Sequence, residues 1–121
     1  LSTTSKNKIC LLKNNIITNT VIDPQDVGLQ RGNISDIQIN TKEDAIKSFV
    51  DVLNDTANKT KIEITALNAA GGLIVSDIAN SFDEAVELAL TTIHSGKAFD
   101  KLKNFVKNCG DMEKLEEVER S

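Results

Sequence analysis

The side chains that could do chemistry in this chain are few and poorly grouped. His94 is the only histidine, and no Cys, Asp or Glu stands beside it in the sequence to make a dyad or triad. A histidine so placed reads as a core or surface residue ahead of a general base or a ligand. Cys10 and Cys109 could hold a soft metal, yet neither belongs to a Cys-x-x-Cys and there is no His-Glu-x-x-His, so the spacing a metal site needs is missing. Two cysteines this far apart do not make a disulfide framework, and they read as reduced thiols of a cytoplasmic protein. Gly71-Gly72 could cradle a phosphate, but no Gly-x-Gly-x-x-Gly surrounds it and no strand runs into it. The favoured reading is close packing of another backbone. Asn68 is the one polar side chain deep in an apolar run, and it reads as a buried amide bonded to a neighbouring loop, with direct ligand contact as the alternative. Carboxylates are plentiful but fall on amphipathic faces. There is no Trp and no Tyr, and aromatic content is 3%, which removes base-stacking platforms and aromatic cages. The residues alone therefore nominate no catalytic, substrate-binding or metal-binding position.

Composition sets the class of protein. With 121 residues the chain is one domain or part of one, and its 40% hydrophobic and 26% charged content is ordinary for a globular fold. A net charge of -4 and a pI near 4.9 oppose nucleic acid or an anionic membrane as partner, since both call for a basic footprint. No apolar run reaches the roughly 18 residues of a transmembrane helix, and no signal peptide opens the chain. The Asn-x-Ser/Thr triplets at Asn33, Asn54 and Asn58 read as chance matches in a chain rich in Asn and Thr. Leu1 is not Met, the only Met is Met112, and Ser2-Thr-Thr-Ser-Lys resembles the middle of a reading frame. A fragment of a longer protein is expected.

The elements follow from pattern and end signals. Lys8–Lys13 and Ile16–Ile22 are β-prone, and Asn14-Asn15 between them suits a two-residue hairpin turn because Asn tolerates positive φ. An isolated hairpin is marginal in water, so this one must lean on helices or on strands outside the chain. Asp23-Pro24-Gln-Asp26-Val-Gly28 spells a short helical turn: a cap, a first-turn proline and an exit glycine. Residues 31–41 read as a loop. From Lys42 to Asn54 an amphipathic helix presents Ala45, Ile46, Phe49, Val50 and Leu53 on one face, with Thr41-x-x-Asp44 as a weak cap. Asp55–Lys59 reads as a linker. Ile62–Ala79 leaves almost no polar face, so a central helix covered on most sides is expected. Ser81-x-x-Glu84 is a capping box for a helix carrying Ala85, Val86, Leu88, Ala89, Leu90 and Ile93. Ser95-Gly-Lys-Ala98 opens another, with Ala98, Leu102, Phe105 and Val106 as its stripe and Gly110 as its C-terminal cap. Asp111 starts a last helix, Met112–Val118, anchored by Leu115 and Val118. Glu116, Glu117 and Glu119 make that end acidic.

The order of these pieces resembles a known family. Asn68-Ala-Ala, then Ser81-Phe-Asp-Glu-Ala-Val-Glu-Leu-Ala, then Ser95-Gly-Lys-Ala with a Leu/Phe helix after it, is similar to the C-terminal end of anthranilate phosphoribosyltransferases. Asp23-Pro24-x-Asp26-x-Gly28-Leu29 is similar to that family's Asp-Pro-Glu-Asp-Leu-Gly-Leu, and Asn108-Cys109-Gly110-Asp111 resembles its archaeal members. The likeness runs from Ser2 to about Leu115, departing at Gly71-Gly72, where the family tends to have Ala or other small residues.

The resemblance implies transfer of phosphoribose from phosphoribosyl pyrophosphate to anthranilate in tryptophan biosynthesis, with Mg2+ on the departing pyrophosphate. It also implies that the working parts lie elsewhere. The family's Gly-Thr-Gly-Gly-Asp loop, Asn-x-Ser-Thr segment, Lys-His-Gly-Asn segment and magnesium-binding Asp-Glu pair are all missing from this chain. Arg31 and Arg120 sit in the wrong context for its anthranilate-binding Arg. Leu1-Ser2 matches the two residues that follow the Asp-Glu pair, so the chain is expected to begin just past the metal ligands and to carry no cofactor itself.

The implied fold is α+β for the fragment: a β-hairpin and about four helices, residues 1–121 forming the C-terminal part of an α/β domain. Its N-terminal helical domain and most of the sheet are absent. The parent is expected to be a homodimer through those missing helices, and the fragment to be inactive and prone to self-association. Rival readings are a non-catalytic helical interaction module, a paralogue that has lost catalysis, and a pyrimidine nucleoside phosphorylase of the same superfamily.

Overall fold

A computed structural model describes all residues, 1–121. Strands β1 (Asn7–Lys13) and β2 (Ile16–Ile22) form an antiparallel pair, in register from Asn7 opposite Ile22 to Lys13 opposite Ile16. Asn14 (φ 52°) and Asn15 (φ 59°) both take the left-handed conformation that a two-residue hairpin turn requires. Leu11 and Ile22 face the core, whereas the opposite face exposes the cross-strand pair Leu12 and Ile17. No third strand joins them.

The turn after β2 is a 3-10 helix, Pro24–Val27. Asp23 Oδ1 accepts the Gln25 N–H at 3.3 Å, Asp26 Oδ2 accepts the Asp23 N–H at 3.0 Å, and Gly28 exits at φ 80°. This end-signalled turn drives Val27 and Leu29 into the core. The expected loop over residues 31–41 contains instead a four-residue helix, α1 (Ile34–Ile37). It buries nothing of its own, and its anchor is Asp36, whose carbonyl accepts the Asn58 side-chain amide at 2.9 Å. A helix held by remote bonds from Asn58 and Thr60 to one residue leaves no periodicity to read.

Helix α2 (Lys42–Leu53) starts where its cap predicts, Thr41 Oγ1 accepting the Asp44 N–H at 3.0 Å. Its expected face is only partly used. Val50 is buried against Phe99 and Leu115, and Val52 is buried at the other margin of the stripe. Ala45, Ile46 and Phe49, in the middle, are exposed, Phe49 by 57%. The helix is gripped along two edges and left open between them.

Helix α3 (Lys59–Val75) begins earlier and ends sooner than expected. Asn58 Oδ1 accepts the Lys61 N–H at 2.9 Å, extending the start into the supposed linker. Asp77 (φ 58°) reverses the chain, and the Ile78 N–H closes the end on the Leu73 carbonyl at 3.0 Å. Ala66, Leu67 and Ala70 are fully buried, so one side is core. The other side is not covered: Asn68, Ala69 and Gly72 are exposed and Val75 is 75% exposed. The expected burial on most sides is therefore corrected to burial on one.

Helix α4 (Phe82–His94) packs along that buried side through Ala85, Val86 and Ala89, small residues that let two backbones approach. Its cap is a modified box: Ser81 Oγ accepts the Glu84 N–H at 3.3 Å, but Glu84 reaches back to the Asn80 N–H at 2.9 Å rather than to Ser81. Gly96 (φ 80°) leads into α5 (Lys97–Cys109). Phe99, absent from the expected stripe, is the one residue α5 buries, while Phe105 is 66% exposed. Gly110 does not take the left-handed cap conformation; its φ is -135°. A Cβ there would lie 3.1 Å from Val106 Cγ1, so glycine serves the close approach. Helix α6 (Met112–Arg120) is capped by Asp111, which accepts the Glu113 N–H at 3.1 Å, and it buries Leu115. The expected four helices are thus six, one of them very short. No helix is long and apolar enough to cross a membrane.

Candidate functional site

The residues singled out by chemistry do not come together. Cys10, on β1, and Cys109, at the end of α5, are both exposed and free. Gly71 and Gly72 meet nothing within 4 Å at the place of a Cβ, so the close backbone expected there is not supplied by this chain. No three His, Cys, Asp or Glu side chains converge to hold a metal.

His94 does have a partner, which the sequence separation concealed. Its Nδ1 lies 2.8 Å from Asp55 Oδ1. Asp55 stands just past α2 at φ 58°, and its Thr56 neighbour closes that helix on the Asp51 carbonyl at 2.8 Å. The turn thereby aims a carboxylate at the last residue of α4. His94 also borders an open cleft of about 440 Å³ with Gly28, Lys59, Glu63 and Leu90. Glu63 is 95% covered, yet its carboxylate is fully engaged: the Gln30 N–H donates at 3.1 Å and Lys59 Nζ lies at 3.6 Å. The cleft holds no nucleophile and no free buried acid or base, so its polar groups hold loops rather than work on a substrate.

The most organised polar constellation lies at the start of the chain. Asn68 is exposed rather than buried, but its bond to a neighbouring segment exists. Its Oδ1 accepts from the Leu1 amine at 2.6 Å, and its Nδ2 donates to the Leu1 carbonyl at 2.8 Å and to the Ile64 carbonyl at 2.9 Å. One amide reads both polar groups of one residue, as a strand neighbour would. Asn7 repeats the device: its Oδ1 accepts the Ser2 N–H at 2.7 Å and its Nδ2 donates to the Ser2 carbonyl at 2.8 Å. Thr3, the next residue, is fully buried, and its carbonyl accepts the Gly32 N–H at 3.0 Å. Gly32 is required there, because a Cβ would stand 2.3 Å from the Thr60 methyl. The Thr3 Oγ1 has no partner. The first two of six residues without regular structure are thus each gripped by a side-chain amide, and Asn7, which follows the stretch, folds back to make the second grip. Asn7 and Thr3 carried no signal in the sequence, being polar residues in a polar stretch; Asn68 did, as the lone amide in an apolar run.

Comparison with known proteins completes the picture. The family described as glycosyl transferase family, a/b domain, matches residues 1–99. The anthranilate phosphoribosyltransferase of Nitrosopumilus maritimus (strain SCM1) is 58% identical over 117 residues, which is 97% of this chain and 34% of that protein. The anthranilate phosphoribosyltransferase of Cenarchaeum symbiosum (strain A) is 33% identical over 118 residues, 98% of this chain and 34% of that protein. That of Bacillus pumilus is 32% identical over 102 residues, 84% and 30% respectively. The chain spans about a third of the length of the curated relatives it matches.

Proposed function

The chain belongs to the glycosyl transferase family, a/b domain, and on that premise we propose that it is the C-terminal scaffold of an anthranilate phosphoribosyltransferase. The whole enzyme transfers phosphoribose from phosphoribosyl pyrophosphate to the amino group of anthranilate, in the cytoplasm, for tryptophan biosynthesis. The observation that carries this reading is the 58% identity to an archaeal protein of that name across 97% of the chain. The strap gives it a physical sense: Asn68 and Asn7 spend their amides on holding backbone in place.

The residues present do not fit a magnesium site, since no cluster of suitable ligands forms. When bound to the parent enzyme, Mg2+ supplies charge neutralisation on the departing pyrophosphate. What these residues do is brace. Helices α3 and α4 lock through Leu67, Ala70, Ala85 and Val86, and the hairpin packs on them through Leu11 and Ile22. The strap of residues 1–7 is tied to this block by Asn68, Asn7 and the buried Thr3. Holding irregular backbone to this degree is how a scaffold delivers reacting groups in a fixed geometry.

The test begins with the parent reading frame, where Asp-Glu is expected directly before Leu1 and Gly-Thr-Gly-Gly-Asp further upstream. The full-length protein, given phosphoribosyl pyrophosphate, Mg2+ and anthranilate, is expected to consume anthranilate, followed by loss of its fluorescence. A parent that carries those motifs but is inactive would point to a paralogue that has lost catalysis. A parent without them would overturn the reading.

A further inference from the structure

The apolar contacts of this chain fall into two sets that share no residue. The main cluster is drawn from the hairpin, α3, α4 and the turns beside them. The small one is drawn only from α2, α5 and α6: Val50, Phe99 and Leu115, with Leu53, Leu102 and Val118 packed against them. Those three helices are also tied among themselves. Lys103 Nζ lies 4.6 Å from the centroid of the Phe99 ring and 4.0 Å from the Glu119 carboxylate of α6. No side-chain hydrogen bond or ion pair runs from α2, α5 or α6 to the hairpin, α3 or α4. Where α2 faces α3, the two sets are parted by an open groove of about 300 Å³.

Three connections join the two sets: residues 38–41, 54–58 and 95–96. Two of them meet. Asp55 (φ 58°) and Gly96 (φ 80°) both take the left-handed conformation, and Asp55 Oδ1 lies 2.8 Å from Nδ1 of His94, the residue before the second connection. The pair thus bridges the end of α2 to the start of α5. Parts of a fold with separate cores open separately, and the part with less buried surface opens first. Three buried residues in one cluster stand against eight in the other. We propose that α2, α5 and α6 open together as one unit while the main core stays closed, with Asp55–His94 as the tie at its root. Asn7 and Asn68, which grip the strap, both stand on the closed side, so the opening leaves residues 1–7 in place. The family match ends at Phe99, and most of α5 and all of α6 lie beyond it. The opening unit is therefore built chiefly from what this chain carries past the matched stretch.

The test is amide hydrogen exchange in the full-length parent, read peptide by peptide. Amides of α2, α5 and α6 are expected to exchange at least about 10-fold faster than those of α3 and α4. Leu115→Ala removes the one residue that α6 buries. It is expected to speed exchange about 30-fold or more in α2 and α5 as well as in α6, and to leave α3 and α4 within about 2-fold of the parent. Where that variant does not fold, the milder Leu115→Val decides, with about 3-fold or more in the same three helices. His94→Ala is expected to speed α2 and α5 by about 2- to 5-fold. Acceleration confined to α6 would mean a fraying terminal helix and would overturn the proposal. Acceleration that spreads equally to α3 and α4 would mean a single core and would overturn it too. His94→Ala without effect on α2 would remove the tie. A parent that shows the expected pattern but transfers no phosphoribose defeats only the enzymatic reading.

Discussion

Single residues in this chain act on backbone, and their effects should divide by burial. Leu67 is fully buried between α3 and α4, so Leu67→Ala is expected to cost about 2–5 kcal/mol by lost transfer energy and residual cavity. Denaturant melts of the chain would show it. Thr3 points the other way. Its buried hydroxyl has no partner, so the isosteric Thr3→Val is expected to be neutral or to stabilise by about 1 kcal/mol. A loss larger than that would mean that Oγ1 is bonded to an ordered water. The His94–Asp55 pair is half exposed, and His94→Ala is expected to change stability by less than about 1 kcal/mol despite its 2.8 Å geometry. None of these magnitudes was visible in the sequence. Pattern places Leu67 in the core, but a pairing across 39 residues, such as His94 with Asp55, is written only in the fold.

At the scale of elements, the local signals proved specific where one residue carries the physics. Asn14-Asn15 turns the hairpin, Asp23-Pro24 starts the 3-10 turn, and Thr41, Ser81 and Asp111 cap three helices. The readings that needed correction are those where tertiary contact decides. Phe99 rather than Phe105 is buried, because α5 meets α2 and α6 through one narrow edge. Helix α2 ends where expected, at Asn54, whereas α3 ends short of Ala79 because Asp77 takes the left-handed conformation, a role usually signalled by Gly. The glycines of α3 yield a test that depends on context. Gly72→Ala is expected to stabilise the isolated chain by about 1 kcal/mol, since a methyl there meets nothing. A destabilising effect of the same change in the full-length protein would show that residues outside this chain take that space. Thermal melts of both proteins, side by side, read the difference.

The whole molecule is thinly packed. Only 20 of 121 residues are buried, eight of them in a main cluster around Leu67 and three in a small one around Phe99, so much apolar surface stays on the outside. Free in solution the chain is expected to self-associate, and light scattering that gives a clean monomer at high concentration would argue against this. The family was legible in the order of Asp23-Pro24, Asn68-Ala-Ala, Ser81-Phe-Asp-Glu and Ser95-Gly-Lys-Ala, residues that carry turns, a clamp and caps. The Asn7 clamp and the buried Thr3 of the strap were not legible, since both are polar residues in a polar stretch. As the proposed scaffold, the chain supports an active site without containing one. The most direct test is calorimetric titration of phosphoribosyl pyrophosphate, with Mg2+, into the 121-residue chain and into the full-length parent. The parent is expected to bind and the chain to give no heat of binding. Clear, saturable binding by the chain alone would contradict the account.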